Sequence, residues 1–369
     1  MTEDEDIREY REQAVNLPAP TIKVAITQGD TNGIGYEVIF KALEDPQILD
    51  LFIPVIYGTS KVAAFHRKTL SIADLPFNYI KRADQALKHK INLLNLTDQE
   101  VKVELGEQTL VGGEMALLAL NEAVSDIKSG AVDVIVTAPI SKKNIQSEGF
   151  RFPGHTEYLA GKFNARDPLM FMVSNNLRIG VATGHIPLEK VSESITEKGL
   201  FDKIKMMNDS LMQDFGIPCP RIAVLGLNPH AGEKGLLGSE EEEIIIPAIG
   251  KAAARNILAF GPYPADGFFG SGNFMKFDGV LAMYHDQGLI PFKTIAAGNG
   301  VNFTAGLPVI RTSPAHGTAF EIAGTDSASG DSMRQAIYLA CDIHRHRMEW
   351  RELTRNPLKV AQPHHTDYE

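Results

Sequence analysis

The sequence predicts an α/β protein with a mostly parallel sheet. Short runs of β-branched residues alternate with helical patterns from about residue 21 onward, and the second half repeats this alternation. Hydrophobic residues make up 44% of the 369 residues and charged residues 22%, so the chain can bury a large core in one large domain or two ordinary ones.

The elements follow in order. Buried strands are predicted at 21–27, 51–57 and 132–137, and helices at 36–44 and 113–128. The second helix has apolar Leu117, Leu120, Val124 and Ile127 at the 3, 4, 3 spacing of an amphipathic helix. In the second half, strands are predicted at 178–182, 221–227 and 279–284, and helices at 240–257 and 331–349. Residues 1–20 are predicted to be a flexible acidic arm.

Composition excludes several classes of partner. Lys and Arg number 36 and Asp and Glu number 46, a formal charge of −10, which is not the basic profile of a nucleic-acid binder. No apolar run approaches the roughly 20 residues of a membrane span, and no secretory signal is recognisable, so neither membrane nor nucleic acid is expected as a partner. The two cysteines, Cys219 and Cys341, form no CxxC pair and are expected to be buried free thiols, which suits a cytoplasmic protein.

Three histidines share one context, because His185, His230 and His285 each follow a predicted strand. Ligands of open α/β sheets bind just beyond the carboxyl ends of the strands, so parallel strands would bring these imidazoles to one rim. Three neutral imidazoles suit a divalent ion with an open position for substrate, and they favour Zn²⁺, Co²⁺ or Ni²⁺ over Mg²⁺. A structural role is the alternative for each histidine alone.

Two carboxylates lie near these histidines in the sequence. Asp286 directly follows His285, and Asp266 lies in the loop PYPADGFFG. Either could accept a hydrogen bond from a metal-bound imidazole or act as a base, and a plain turn residue is the alternative for Asp266.

Other polar residues could hold an anionic substrate. Lys293, Asn302 and Arg311 follow His285, and Arg311 ends an apolar run, where a charged group needs an anionic partner or a structural ion pair. His155 and Thr156 in FPGHTE precede a predicted helix, so Thr156 is either an N-cap or part of an anion site at the helix start.

The usual nucleotide motifs are missing. Gly33-Ile34-Gly35 lacks the third glycine of GxGxxG, and no GxxxxGK[ST] is present. The segment HGTAFEIAG at 316–324 is an alternative cofactor loop, since its small residues allow close approach of an adenosine and Glu321 could accept from ribose hydroxyls. A carboxylate there would repel a 2′-phosphate and favour NAD over NADP.

Seven ordered motifs resemble the 4-hydroxythreonine-4-phosphate dehydrogenase family of pyridoxal phosphate synthesis, from about Thr21 to the helix at 331–349. They are VTAPISK, FPGHTEYLA, ATGHIPL, LNPHAGE, YPADG, YHDQGL and HGTAFEIAG. The resemblance implies a fold like isocitrate and isopropylmalate dehydrogenases, with two α/β/α domains flanking a cleft. The expected outer domain is 21–140 plus 305–369, and the central domain is 141–304.

The resemblance also implies roles for individual residues. The metal ligands would be His185, His230 and His285, in a site shared between the subunits of a homodimer. Residues expected to bind substrate are His155, Thr156, Lys293, Asn302 and Arg311. Acid–base candidates are Asp266, Asp286 and Lys293. The cofactor loop would offer His316, Gly317, Thr318, Ala319 and Glu321.

The expected reaction is NAD-dependent oxidation of 4-phosphooxy-L-threonine, assisted by one divalent ion (Zn²⁺, Co²⁺ or Mg²⁺). The resulting 3-keto acid would lose CO₂ to give 3-amino-2-oxopropyl phosphate. Alternatives are a sister dehydrogenase of 4-phospho-D-threonate or 4-phospho-D-erythronate, an NAD-independent metal hydrolase, and a non-catalytic metabolite-binding protein.

Some positions depart from the family pattern. The usual TPGDPAGIGPE is TQGDTNGIGYE, which brings in Gln28, Thr31, Asn32 and Tyr36. Gly184 replaces a usual Thr and Ala315 a frequent Asp. These changes leave every expected metal and substrate group in place.

Overall fold

The computed structural model describes residues 21–72, 75–146, 152, 154–175 and 177–357. The predicted acidic arm, 1–20, lies outside these residues. No helix within the described residues is long and apolar enough to cross a membrane. Contacts group the described chain into two units, one of 21–164 with 308–341 and one of 165–307 with 342–357. The domain limits expected from the sequence stay a prediction.

The first unit contains a parallel sheet in the order β3-β4-β2-β1-β5-β12. Its strands are β1 (Ile22–Thr27), β2 (Phe52–Gly58), β3 (Phe77–Ile80), β4 (Ile91–Asn95), β5 (Val134–Thr137) and β12 (Arg311–Pro314). Strands β1, β2 and β5 are almost entirely buried, as their predominantly apolar sequences predict for a parallel sheet.

Three of the helices of this unit connect its parallel strands, and the fourth follows β5. They are α1 (Gly35–Ala42), α2 (Ser60–Thr69), α3 (Leu110–Ser129) and α4 (His155–Lys162). Helix α3 begins where the Thr109 side chain accepts from the Gly112 N–H, and it ends at Gly130, whose φ of 76° suits a residue without Cβ. These caps fix a 20-residue helix that begins before the predicted 113–128.

The second unit contains a mixed sheet in the order β11-β6-β7-β10-β8-β9. Its strands are β6 (Leu169–Ser174), β7 (Leu177–Val181), β8 (Arg221–Leu225), β9 (Leu258–Tyr263), β10 (Gly279–Ala282) and β11 (Val301–Ala305). Strands β7, β10, β8 and β9 run parallel, and β6 pairs antiparallel with both β7 and β11.

The helices of the second unit are α5 (Val191–Ser194), α6 (Glu197–Gln213), α7 (Ile246–Ala253), α8 (Ala265–Gly270) and α9 (His285–Ala296). A single π-helical turn, Glu241–Ile245, precedes α7. The predicted helix at 240–257 is therefore wrong at its C-terminal end, because the residues after Ala253 leave the helix and lead into β9. The long last helix, α10 (Asp331–Leu353), contributes residues to both units.

The α/β fold class is confirmed, and one expectation about burial is wrong. Cys341 is buried, but Cys219 is exposed. Cys219 lies between Pro218 and Pro220 in the connection that leads into β8, and apolar neighbours in sequence do not bury a residue of such a connection. Neither cysteine forms a disulfide.

Candidate functional site

The three histidines follow three neighbouring parallel strands. His185 follows β7, His285 follows β10 and His230 follows β8, with β10 hydrogen-bonded between the other two. Because the strands are parallel, their carboxyl ends meet at one edge of the sheet. The placement that the sequence predicts for these residues, after parallel strands at one edge, is what the sheet shows.

Two side chains tie these strand ends together. The Thr183 hydroxyl donates to the Met283 carbonyl at 2.7 Å, which links the segment before His185 to the end of β10. Gln287 accepts from the Met283 N–H at 2.7 Å and donates to the Gly226 carbonyl at 2.7 Å. The β10 end is therefore fixed to both of its neighbours by side-chain hydrogen bonds.

Two of the three imidazoles are adjacent. The ring centroids of His185 and His285 are 5.5 Å apart, and Nδ1–H of His285 donates to the Asp286 carboxylate at 2.7 Å. That bond leaves Nε2 of His285 with its lone pair, the form of imidazole that binds a metal. Among the described residues of this chain, no three His, Cys, Asp or Glu side chains already converge on one point.

His230 lies on a turn of unusual conformation. Residues His230, Ala231, Gly232, Glu233 and Lys234 all have positive φ, so the chain makes a left-handed helical turn. For residues with a Cβ this conformation costs roughly 1–2 kcal/mol each. Backbone strain of this kind persists only where the surroundings hold it.

The remaining expected residues of the second unit lie on three different elements. Asp266 is exposed on α8, which contacts the turn that carries His230. Lys293 is exposed on α9, eight residues after His285. Asn302 lies on β11, and its Oδ1 is buried with no hydrogen-bond partner among the described residues. That oxygen is available to a donor on a ligand.

Arg311 begins β12 in the first unit and is only 3% exposed. Its Nε and Nη2 donate to the Thr137 hydroxyl at 3.1 and 2.7 Å, and no carboxylate of the described residues lies within 4.0 Å of the guanidinium. Burial lowers the pKa of Arg311 to about 10, and the charge of Glu157 opposes this shift. Among the described residues, the site therefore holds a buried cation with no carboxylate in ion-pair contact.

His155 is the first residue of α4, and Thr156 follows it in the first turn. Burial lowers the pKa of His155 well below its ordinary value, and the positive charges of Arg311 and Lys142 lower it further. Its Nε2 is buried without a hydrogen-bond partner among the described residues. The structure thus brings His155 and Arg311 into one electrostatic environment, with a free imidazole nitrogen.

The 316–324 loop rests on the first βα turn. Ile34 N–H donates to the Thr318 carbonyl at 3.1 Å, and a Cβ at Gly33 would lie 2.8 Å from that oxygen. Ala319 has a φ of 43°, and a short 3₁₀ turn, Phe320–Ile322, follows it. The Gly33-Ile34-Gly35 turn, which lacks the dinucleotide motif, therefore supports the 316–324 loop.

Two residues of this loop bear on ligand binding. Nδ1 of His316 bonds the Gly317 carbonyl at 3.1 Å, while its Nε2 is buried with no partner among the described residues. Burial lowers the pKa of His316. Glu321 is exposed, so its carboxylate is open to solvent or a ligand.

The departures of the first βα turn from the family pattern compensate each other. The Tyr36 hydroxyl donates to Gln28 Oε1 at 2.6 Å, and Gln28 Nε2 donates to the Met115 carbonyl at 3.1 Å. The Asn32 amide donates to the Glu107 carbonyl and the Thr109 hydroxyl. Gln28 and Tyr36 thus bond each other, and Asn32 bonds the segment before α3, whereas the buried Thr31 hydroxyl has no hydrogen-bond partner among the described residues.

Three residues of the site were missed in the sequence. Thr137 fixes Arg311, Gln287 fixes the strand ends, and Glu241 contacts the backbone before His230. Glu241 lies in a run of four glutamates, a pattern typical of a solvated helix face, so its burial had no sequence signal. Gln287 and Thr137 lie inside the quoted motifs YHDQGL and VTAPISK, which was the available signal.

Comparison with known proteins gives consistent matches. The family described as pyridoxal phosphate biosynthetic protein PdxA matches residues 50–340. A 4-hydroxythreonine-4-phosphate dehydrogenase of Bacteroides thetaiotaomicron is 52% identical over 339 residues, which cover 92% of this chain and 93% of the relative. The enzyme of the same name from Sulfurihydrogenibium sp. is 40% identical, with 88% of this chain and 99% of that protein covered.

Solved structures of other dehydrogenases also match the fold of this chain. The 4-hydroxythreonine-4-phosphate dehydrogenase of Klebsiella pneumoniae superposes with a TM-score of 0.76 at 35% identity, covering 89% of this chain and 99% of that one. A terephthalate 1,2-cis-dihydrodiol dehydrogenase from Burkholderia xenovorans gives a TM-score of 0.59 at 26% identity, covering 87% and 98%. The fold is therefore shared by dehydrogenases whose names indicate different substrates.

Proposed function

We propose, because this chain belongs to the family of the pyridoxal phosphate biosynthetic protein PdxA, that it oxidises 4-phosphooxy-L-threonine with NAD and a divalent ion. The product is a 3-keto acid that loses CO₂ to give 3-amino-2-oxopropyl phosphate, in pyridoxal 5′-phosphate biosynthesis. The observation that carries the proposal is the buried Arg311, whose guanidinium has no carboxylate within 4.0 Å among the described residues.

Arg311 and His155 supply the anion-binding part of the site. Thr137 occupies Nε and Nη2 of Arg311, which leaves the rest of the guanidinium fork for a phosphate or carboxylate. His155 is neutral at pH 7, so its unpartnered Nε2 can accept or donate a hydrogen bond without adding charge. Thr156, on the same helix turn, adds a hydroxyl near the helix N-terminus, and Lys293 and Asn302 complete the set of substrate groups.

His185, His230 and His285 would hold the divalent ion. The two adjacent rings and the Nδ1–H bond of His285 to Asp286 suit imidazole ligation. When bound, the ion supplies Lewis acidity toward the reacting hydroxyl of the substrate. Imidazole ligands favour Zn²⁺ or Co²⁺, with Mg²⁺ as the weaker candidate.

The 316–324 loop fits the adenosine half of NAD. The loop has small residues at Gly317 and Ala319, a buried Nε2 of His316 without a partner in the described chain, and an exposed Glu321. Glu321 would accept from ribose hydroxyls and repel a 2′-phosphate, which favours NAD over NADP. When bound, NAD supplies the acceptor for the hydride.

One residue must take the hydroxyl proton. Asp286 is engaged with His285, so its role is to orient that imidazole. Asp266 and Lys293 are exposed and remain the candidates for the acid–base group. The keto group of the 3-keto acid lies beta to the carboxylate, so the electrons of the breaking C–C bond can move onto the carbonyl oxygen as CO₂ leaves. A proton donor must then protonate the resulting enolate at the carbon that carried the carboxylate, which gives the ketone product.

A homodimer with a shared metal site is part of the proposal. A large exposed apolar side chain follows each histidine closely: Leu188 is 71% exposed, Leu236 is 78% exposed and Ile290 is 65% exposed. Apolar surface beside each histidine suits a subunit interface at the metal site. A cytoplasmic location is proposed because neither cysteine forms a disulfide.

The direct test follows NADH formation by the metal-loaded protein with 4-phosphooxy-L-threonine, 4-phospho-D-threonate and 4-phospho-D-erythronate. A preference for the first supports the proposal, and a preference for either other compound would assign a sister activity. Formation of no NADH from any of them would refute the dehydrogenase proposal. His230→Ala should abolish metal-dependent turnover, whereas His89→Ala, at an exposed histidine paired with Asp50, is the matched control that should leave it unchanged.

A further inference from the structure

The turn that carries His230 is shaped around one buried carboxylate. Glu241 is 2% exposed and lies in the π-helical turn before α7. Its Oε1 accepts from the backbone N–H groups of Leu227 and Asn228, both at 2.7 Å. Its Oε2 accepts from the Asn228 side-chain amide at 2.9 Å. These bonds hold the chain at the residues that lead directly into His230.

Glycines give the carboxylate room. Gly232 has a φ of +78°, and a Cβ there would lie 2.6 Å from Glu241 Oε2. At Gly226 a Cβ would lie 3.1 Å from Glu241 Oε1 and 2.9 Å from the Ala231 Cα. The Glu241 carboxylate therefore occupies space that side chains at positions 226 and 232 would need.

The carboxylate also has an energetic role. A buried charge is unfavourable unless hydrogen bonds compensate it, and charge-assisted bonds of about 2.7 Å are the short, strong kind. Glu241 receives three such donors from the segment before the turn, and the five left-handed residues follow at once. A π-helical turn departs from the regular spacing of an α-helix. Glu241 is the first residue of such a turn.

We propose that Glu241 is a positioning residue that holds the 226–238 turn in the shape that presents His230 as a metal ligand. This inference rests on the proposed function, since it assumes that His230 binds the ion. Glu241 does not touch the ion or the substrate; it acts through the backbone of Leu227 and Asn228. The neighbouring Glu242 and Glu243 are exposed and have no such role.

The test measures Co²⁺ binding to the full chain by visible absorption, for the wild type, Glu241→Ala, Glu241→Gln and the matched control Glu242→Ala. We expect Glu241→Ala to weaken Co²⁺ binding about 10- to 100-fold, as loss of residues that orient metal ligands does. Glu241→Gln keeps one acceptor oxygen and should fall between, with an altered Co²⁺ spectrum. Glu242→Ala should match the wild type in affinity and spectrum.

Thermal stabilisation by inorganic phosphate serves as the second readout, because the anion site lies in the other unit and should be unchanged in all variants. Wild-type affinity and spectrum in Glu241→Ala would overturn the inference. If that variant does not fold, Glu241→Gln decides, and a wild-type Co²⁺ spectrum and affinity there would overturn it. Failure of the wild type itself to bind Co²⁺ would instead refute the metal site of the proposed function, and the inference with it.

Discussion

Replacing Arg311 with Met should weaken substrate binding without destabilising the ligand-free protein. The guanidinium is buried and bonded only to the Thr137 hydroxyl within the part of the chain that the structure describes. Burial lowers its pKa from 12.5 to about 10, which at 1.36 kcal/mol per unit corresponds to roughly 3 kcal/mol against the charged form in the folded state. Met removes that cost and keeps an apolar stem of similar length.

The variant also loses the hydrogen bonds that Arg311 donates to the Thr137 hydroxyl. The Thr137 hydroxyl is left buried without its donor, which costs about 1–3 kcal/mol. The ligand-free Arg311→Met protein should therefore range from unchanged to about 2 kcal/mol more stable than the wild type. Adding Thr137→Val removes the unpaired hydroxyl and should raise the stability again. An anion loses a charge-assisted hydrogen bond, about 1.5–3 kcal/mol, so the KM for the phosphorylated substrate should rise roughly 10- to 150-fold.

Chemical denaturation with and without inorganic phosphate separates the two effects, since an anion that binds the folded state stabilises it by mass action. The wild type should gain stability with phosphate and Arg311→Met should gain little. Gly250→Ala, at an open helical position where nothing lies within 4 Å of the new Cβ, is the control for a substitution that leaves the site intact. A variant that is more than 2 kcal/mol less stable yet keeps its phosphate response would refute this account of Arg311.

Three further predictions follow from buried groups and close contacts. Burial lowers the pKa of His66 from its ordinary value to about 4, so as the pH falls the unfolded state takes up a proton before the folded state does. The folded state therefore keeps its full stability above pH 6.5 and loses roughly 3 kcal/mol as the pH falls to about 4. His66→Gln, which can still donate to the Thr31 carbonyl, should show a shallower loss in urea titrations between pH 7 and 4.5, and an unchanged slope would contradict the assignment. Gly33→Ala places a Cβ 2.8 Å from the Thr318 carbonyl, so it should weaken NAD binding, measured by fluorescence titration, while Gly267→Ala, with open space around it, should not. A thiol reagent should modify only Cys219 in the native protein and both cysteines after unfolding; rapid native modification of Cys341 would show that its burial is wrong.

The fold was predictable because its signals are local. Strands such as Phe52–Gly58 are unbroken apolar runs, and helix Leu110–Ser129 has a Thr cap, a clear 3, 4, 3 spacing and a terminal Gly. The predicted helix at 240–257 failed because its end is decided by the packing of the next strand rather than by composition. The antiparallel strand pair of β6 and β11 also has no local signal, since pairing direction depends on the whole sheet.

For the candidate site, the sequence predicted which residues follow the ends of strands but not the contacts of their side chains. Three histidines after three runs of apolar residues indicate one rim, and the parallel order β7-β10-β8 places them there. The state of each side chain depends on distant partners, however. Arg311 and Thr137 are 174 positions apart in the sequence, and the left-handed turn at His230 exists because Glu241 is buried beneath it. Neither the Arg311–Thr137 contact nor the Glu241 contact can be predicted from a local sequence pattern.

The Tyr36–Gln28 bond restricts how this chain could have diverged. The Tyr36 ring is fully buried, and a Cβ at Gly58 would lie 2.2 Å from its hydroxyl and 2.9 Å from Gln28 Oε1. Changing Tyr36 alone removes the 2.6 Å donor of Gln28 Oε1, and changing Gln28 alone leaves the buried Tyr36 hydroxyl with only the Thr59 carbonyl, at 3.4 Å, as its acceptor. Each single change weakens a buried hydrogen bond, so we expect the residues at the two positions to change together.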